Sequence, residues 1–466
     1  MLNKVIKILK DNIFIVVILS VFFCLSVINS VCNMGLIEDG VHHFWEAITS
    51  GNIFLGHEGI NSFPYNSRYF PSIFSHLITG IFVLSGVVKI KFLLTIFTFI
   101  SYFIPVILLY CVYLNINNNR KYIFEFILLS FLLEFLFLNY QIWTENFITG
   151  MFLWNVFVIY LYSDFSRLSK INLISLIVFP FFLISSHPMV VVFIPFLLIY
   201  AIYKHYVNKG NICKKNNIFL IVSYILLFIA FVFNIYFIIN PIFAAANEYL
   251  NMPLFKNINV VKPFLFVILL FVLTSIKLKN KIIKNLIYII FLVVIFNSLF
   301  LNIEPNKSYV YRVLGFYIPL FFMIILFLIT TFKTVYETIY FRILNILLLL
   351  VFVFNSVFYA DLWNKFCLMS TNYLQENKYI NIGYNDSYQL FTSQPQMFNL
   401  YHVHLYPIFI ILLENMNGKN IECKINLSVP DDDMANFYNL NVFNREKQLK
   451  NFSIELNKII SMQQIK

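Results

Sequence analysis

The chain alternates between long apolar blocks and short polar breaks. Residues 13–31, 92–114, 122–139, 146–162, 189–203 and 218–240 are filled by Ile, Leu, Val and Phe, with no strict alternation of apolar and polar positions. Blocks of this length and character predict membrane-crossing helices, because about twenty apolar residues in a helix match the hydrocarbon core. A block rising to the Ser185-Ser186-His187-Pro188 run, then 263–276, 286–301, 314–332 and 343–359, extend the pattern. The expectation is an all-α polytopic membrane protein of about eleven spans. From Asp361 the apolar runs shorten and Asn, Asp, Gln and Lys rise. Residues 361–466 are therefore expected to form a small extracytoplasmic mixed α/β domain after a transmembrane domain of residues 1–360. Strand-like stretches fall at 375–393 and 421–429, and residues 404–413 are apolar but too short to span.

Charge orients these blocks. Lys4, Lys7 and Lys10 precede the first one, which has no small-residue cleavage site and is expected to be a retained helix. Lys204, Lys209, Lys214 and Lys215 fall in one later break, and Lys277, Lys279, Lys281 and Lys284 in another. If residues 72–88 crossed the membrane, these clusters would lie on the side opposite the N-terminus. If 72–88 lies along the surface, all of them become cytoplasmic, as the positive-inside rule requires. Gly80, Ser85 and Gly86 weaken that block as a spanning helix. It is expected to lie near the outer surface, within a long first outer loop, 32–91.

Composition agrees with this class. The chain is 60% hydrophobic and 12% charged, with 56 Phe among 466 residues, whereas a soluble domain carries about 25% charged residues. The net charge of +11, from 33 basic and 22 acidic residues, resides largely in the loop lysines and does not indicate nucleic acid. Six cysteines show no CxxC or zinc-like spacing.

Candidate chemistry concentrates just after the first block. If a helix starts at Asp39, Val41, Phe44, Trp45 and Ile48 share one face, and Asp39, His42, His43, Glu46 and Ser50 the other. Such a helix suits the interface, its aromatic face in the headgroups and its charged face toward water. Glu38 and Asp39 would stand at its N-terminus. Asp39 is also a good N-cap. His42 and Glu46 are four apart, as metal ligands can be, but polar residues on a solvated helix face are commoner than ligands and no metal site is assigned. With the chosen parity, His57, Glu58, Glu145, His187, Glu248, Glu304 and Arg312 join the acidic pair outside. Ionisable groups at a membrane border are costly and need a reason. His187-Pro188 also suits the end of a helix, Glu134 suits an interhelix hydrogen bond, and Asp431-Asp432-Asp433 suits a solvated turn.

This layout resembles the C-type (GT-C) membrane glycosyltransferases. The resemblance rests on a first helix followed by the pair Glu38 and Asp39 opening an amphipathic stretch, and on Arg68-Tyr69-Phe70-Pro71 before a second juxtamembrane helix. A later outer acid, Glu145, and the C-terminal domain complete it. The family's Asp-Glu or Asp-x-Asp pair appears here in reversed order. The resemblance implies transfer of a sugar from a polyprenyl-phosphate donor to a lipid, glycan or protein acceptor at the outer face of the membrane, in bacteria the cytoplasmic membrane. It implies Asp39 or Glu38 as general base and Arg312, with Lys307 second, on the donor phosphate. His42, His43, Arg68, Glu145, His187, Tyr309 and Tyr311 would contact substrate. No redox cofactor is implied; some relatives use a divalent metal, Mg or Mn, and others do not. The alternatives are an O-antigen-type polymerase or ligase, whose large loop usually comes late, and a non-catalytic lipid-linked sugar flippase. A flippase would be expected to carry charged or Gly/Pro-broken positions within its helices.

Overall fold

The computed structural model describes residues 13–36, 44, 47–48, 69–87, 89–116, 121–137, 145–186, 190–191, 193–239, 319, 322–323, 326, 338–376, 379–381 and 424–426. These form a helical bundle. Its elements are α1 (Ile13–Val31), α2 (Tyr69–Leu84), α3 (Ile90–Asn115), α4 (Lys121–Phe137), α5 (Glu145–Tyr162), α6 (Lys170–Phe182), α7 (Phe193–Asn208), α8 (Lys214–Ile239) and α9 (Thr338–Glu376). Four helical stretches among the described residues are long and apolar enough to cross a membrane: Ile13–Val31, Ile90–Asn115, Lys214–Tyr236 and Arg342–Thr371. The protein is thus a membrane protein.

Side-chain contacts fix the direction of each helix. α1 and α3 run antiparallel, Phe23 meeting Phe99 and Phe103 at 5.6 Å, and Gly35 lying against Leu94 and Thr98. α9 runs parallel to α1. Arg342 lies 5.3 Å from the Phe14 ring, Phe352 lies 5.0 Å from Phe22, and the Trp363 indole donates to the Asn33 carbonyl at 3.0 Å. The 22 residues from Arg342 to Trp363 cover about 32 Å of helix, close to the thickness of a bilayer's hydrocarbon core. The two contacts therefore mark the two ends of the bundle.

One end is basic. There the Glu125 carboxylate of α4 accepts from Arg342 Nε at 2.9 Å, and Asn345 Nδ2 donates to the Glu125 carbonyl at 2.7 Å. Asn115, the last residue of α3, donates through Nδ2 to Asn155 Oδ1 at 3.0 Å and Ser175 Oγ at 3.1 Å, and accepts from Asn172 Nδ2 at 3.0 Å. Asn155 Nδ2 in turn donates to the Met151 and Leu108 carbonyls. Each amide is used on both its donor and acceptor sides. Such a buried network gives α3, α5 and α6 a fixed register that Ile–Leu packing alone would not.

The connections at this end are built from local polar chemistry. Asp164 accepts from the Ser166 hydroxyl at 2.8 Å and the Ser166 N–H at 2.9 Å, making the tight turn after α5. Those hydrogen bonds, the hydroxyl's foremost, hold its carboxyl below the usual range. Ser169 starts α6 with a capping box in which Asn172 takes the place usually held by Glu. Lys204 Nζ donates to the carbonyls of Tyr160, Leu161 and Ser163 at 2.8, 3.1 and 2.8 Å. It closes the C-terminus of α5, where carbonyls are otherwise orphaned and the helix dipole favours a cation. Asn216 near the start of α8 donates to the Phe165 carbonyl. Arg167, Lys170, Lys204, Lys209, Lys214, Lys215 and Arg342 thus share one end, as the loop lysines predict.

Element limits differ from expectation at α9. The helix expected to stop at residue 359 continues to Glu376, because nothing after Tyr359 breaks it and Trp363, Phe366 and Cys367 still find buried positions. The extension carries α9 well past the level of Trp363. Beyond it, β1 (Tyr379–Asn381) pairs in parallel with β2 (Lys424–Asn426). Both lie inside the stretches read as strand-like; Gln375 and Glu376 of the first stretch belong to α9 instead.

Candidate functional site

The end opposite the lysines is organised around the exit of α1. Asn33 takes a left-handed conformation (φ 58°), which Asn tolerates better than most residues. Its carbonyl receives both the Trp363 indole and the Leu36 N–H, each at 3.0 Å. Met34–Leu36 then form one 3-10 turn, buried throughout, against α3 and α9. Gly35 is required there, since a Cβ would run into Thr98 Oγ1 and stand 3.2 Å from Thr98 Cβ. The chain is clamped on both sides at Leu36, and Glu38 and Asp39 follow at once.

The helical turn expected after Asp39 is present at Phe44, Ala47 and Ile48, all three buried. Phe44 is 0% exposed and its ring lies 5.4 Å from Phe97 of α3. The expectation that this aromatic face meets lipid headgroups is therefore corrected for Phe44 and Ile48. Phe44 packs on α3, and protein covers both.

α2 lies at this same end. Phe74 meets Phe182, the last residue of α6, at 5.3 Å, His76 meets Phe97 at 6.2 Å, and Phe82 meets Phe92, near the start of α3, at 5.6 Å. Both its halves thus touch residues of one end of the bundle. Its 16 residues amount to about 24 Å, short of a hydrocarbon core. α2 does not run from one end to the other, so among the described residues α3 begins at the end where α1 finishes, as the lysines predict.

Beneath this surface is an unusual set of polar atoms. Asn29 Oδ1, Thr79 Oγ1, Thr98 Oγ1 and Tyr102 OH are buried and have no hydrogen-bond partner among the described residues. Buried polar groups are nearly always satisfied, so each of these asks for a cause. Glu134, expected to make an interhelix hydrogen bond, makes none among the described residues and is fully buried.

Of the candidate site residues, Glu145 is the first residue of α5 and belongs to this end. Glu38, Asp39, His42, His43, Arg68, His187, Lys307, Tyr309, Tyr311 and Arg312 lie outside the described residues. Leu36 and Phe44 flank the acidic stretch, Tyr69 follows Arg68 into α2, and Ser186 precedes His187 at the top of α6. Pro319, in the segment after Arg312, lies 3.6 Å from the place a Cβ on Gly150 would occupy. Gly35, Trp363 and Glu134 were not singled out as site-forming by sequence. A glycine two residues before an acidic pair was the available signal for the first.

No protein family, curated relative or solved structure matches the chain.

Proposed function

We propose that this protein is a membrane glycosyltransferase of the GT-C kind, moving a sugar from a polyprenyl-phosphate donor to a lipid, glycan or protein acceptor. The observation that carries the reading is the clamped turn Met34–Leu36. That turn lies at the bundle end opposite the lysine clusters, and the sequence runs directly from it into Glu38 and Asp39. An enzyme whose donor cannot leave the bilayer needs its carboxylates at that level. In this reading the lysine end is cytoplasmic, about eleven helices span, and the acidic end faces outward. The extension of α9 is the first part of an extracytoplasmic domain made from residues 361–466.

The chemistry follows from the residue types. Asp39 or Glu38 takes the proton of the acceptor hydroxyl as that oxygen attacks the anomeric carbon. The bond from that carbon to the phosphate oxygen breaks, and the electron pair leaves with the polyprenyl phosphate. Arg312 neutralises the departing phosphate, a two-pronged task suited to guanidinium; Lys307 is the lesser candidate. Glu145, His42, His43, Arg68, His187, Tyr309 and Tyr311 supply hydrogen bonds to sugar and acceptor. No redox cofactor enters; a divalent metal, Mg or Mn, would act beside the donor phosphate if one is used.

The test is to incubate the purified full-length protein with a panel of polyprenyl-phosphate-linked hexoses and pentoses and a membrane glycolipid fraction. Release of free polyprenyl phosphate coupled to sugar transfer is the expected result. Movement of intact donor across vesicle membranes without release would identify a flippase instead.

A further inference from the structure

α2 ends in a tight, hydrogen-bonded turn. Gly86 takes a left-handed conformation (φ 83°), its N–H donates to the Val83 carbonyl at 2.9 Å, and the Val87 N–H reaches back to the Phe82 carbonyl at 3.0 Å. This pair of bonds is a common way for a glycine to close a helix. The turn leads straight to α3, whose Phe92 meets Phe82 at 5.6 Å. Lys89 and Lys91 follow it, one on each side of the buried Ile90, and both are exposed.

Two cations are out of keeping with this end of the bundle. The positive-inside rule gathers lysines in the short connections of one side, and here that is the opposite end. At this end Lys365 is neutralised by Asp361 at 2.6 Å, whereas the ammonium groups of Lys89 and Lys91 have no carboxylate or hydrogen-bond partner among the described residues. Two residues apart, their Cα atoms lie within about 7 Å, so the flexible stems let both ammoniums reach one anion. The surface around them is apolar: Ile81 and Leu84, one turn apart on α2, are 48% and 63% exposed, and Phe92 is 44% exposed. Cations bordering an apolar strip at a bundle end suit an amphiphile, its charge at the membrane surface and its chain in the bilayer. A phosphate monoester carries about two negative charges and balances the pair. A diester carries a single charge and leaves one lysine uncompensated.

We infer that Lys89 and Lys91 bind the phosphate of a lipid phosphomonoester whose chain lies along Ile81, Leu84 and Phe92. A free phosphate ion would leave the apolar strip uncovered. In the glycosyltransferase reading such a lipid is the carrier phosphate released by sugar transfer. That identification rests on the reading; the site itself rests on the lysine pair and the strip beside it.

Amine acetylation tests this on the full-length protein in nonionic detergent, at about pH 8, above the second phosphate pKa of about 6. N-hydroxysuccinimidyl acetate modifies exposed lysines, and mass spectrometry reads each one. Dioleoylphosphatidic acid, a lipid phosphomonoester, should slow acetylation of Lys89 and Lys91 about twofold or more once it reaches its dissociation constant. Lys365 should react at an unchanged rate. Lys89→Gln should lower the protection of Lys91, and Leu84→Ser should remove most of the protection of both lysines while leaving acetylation without lipid as in wild type. Dioleoylphosphatidylglycerol, a diester with the same chains, should protect less at equal concentration, and inorganic phosphate not at all. An unmodified lysine pair, or acetylation equal with and without phosphatidic acid, overturns the site. Equal protection by phosphatidylglycerol overturns the phosphomonoester, and equal protection by inorganic phosphate overturns the lipid. Because acetylation is read apart from turnover, protection without sugar transfer keeps the site and removes the reaction. Transfer without protection does the reverse.

Discussion

Gly35→Ala is the sharpest perturbation of the geometry that presents the acidic pair. The added methyl overlaps Thr98 Oγ1 and comes within 3.2 Å of Thr98 Cβ and 3.4 Å of Leu94 Cδ1. Thr98 is β-branched on a helix, where one or two rotamers dominate, so its hydroxyl cannot simply swing aside. Relief needs the turn to retreat by about 1 Å to ordinary contact. Overpacking of this sort costs about 1–3 kcal/mol, and the Gly→Ala change returns about 0.4–1 kcal/mol through the unfolded chain. The net expectation is a loss of about 1–2 kcal/mol. Thr98→Ala removes the unpartnered oxygen that takes the worst of the overlap, so the double variant should recover at least half of the loss. Thermal unfolding of the four proteins in one detergent measures that coupling. Displacing a catalytic group by about 1 Å can lower a rate about a hundredfold, so sugar transfer should fall further than stability does and recover with it. Gly35→Ala that melts and turns over like wild type, or a double variant no better than the single, would refute the claim that this turn positions Glu38 and Asp39.

Three further outcomes follow from the same arrangement. Arg312→Lys keeps the charge and loses the fork, so donor KM should rise with expression intact; unchanged KM and turnover in both Arg312→Lys and Arg312→Ala would move the phosphate role to Lys307. Lys204→Met should lower the melting temperature, since it strips three charged hydrogen bonds from the end of α5 at about 1 kcal/mol or more each, whereas Lys204→Arg should retain part of them; equal melting for Lys204→Met and wild type would contradict the capping role. A reporter fused after Lys209 should read cytoplasmic and one after Asn420 extracytoplasmic; both on one side would overturn the parity that α2 provides.

Much of the bundle was legible because the apolar blocks have the length a bilayer imposes and the lysines mark one side. The limits of α3, α4, α5 and α8 fall within a few residues of the pattern read from sequence. α2 was the ambiguous block: its apolar run is nearly long enough to span, and only its contacts with Phe182 and Phe92 decide that it does not. The burial of Phe44 was not legible, since an apolar face suits a protein neighbour as well as it suits headgroups. Glu134 was read from the common habit of intramembrane acids to find a partner, and the lack of one among the described residues is a tertiary fact. Gly35 and Trp363 lie far apart in sequence, and their joint role at the exit of α1 appears only when α9 is placed beside α1.

The account stands most directly on the acidic pair. Asp39→Asn and Glu38→Gln should be compared with wild type for sugar transfer from polyprenyl-phosphate donors, with folding checked by thermal melting. Asn caps a helix about as well as Asp, so a capping role alone predicts a folded, active Asp39→Asn. Removal of a general base predicts an equally folded protein slowed by about two to four orders of magnitude. The account predicts that loss in one of the two variants, Asp39→Asn first. Two folded variants that both transfer sugar at the wild-type rate would contradict it.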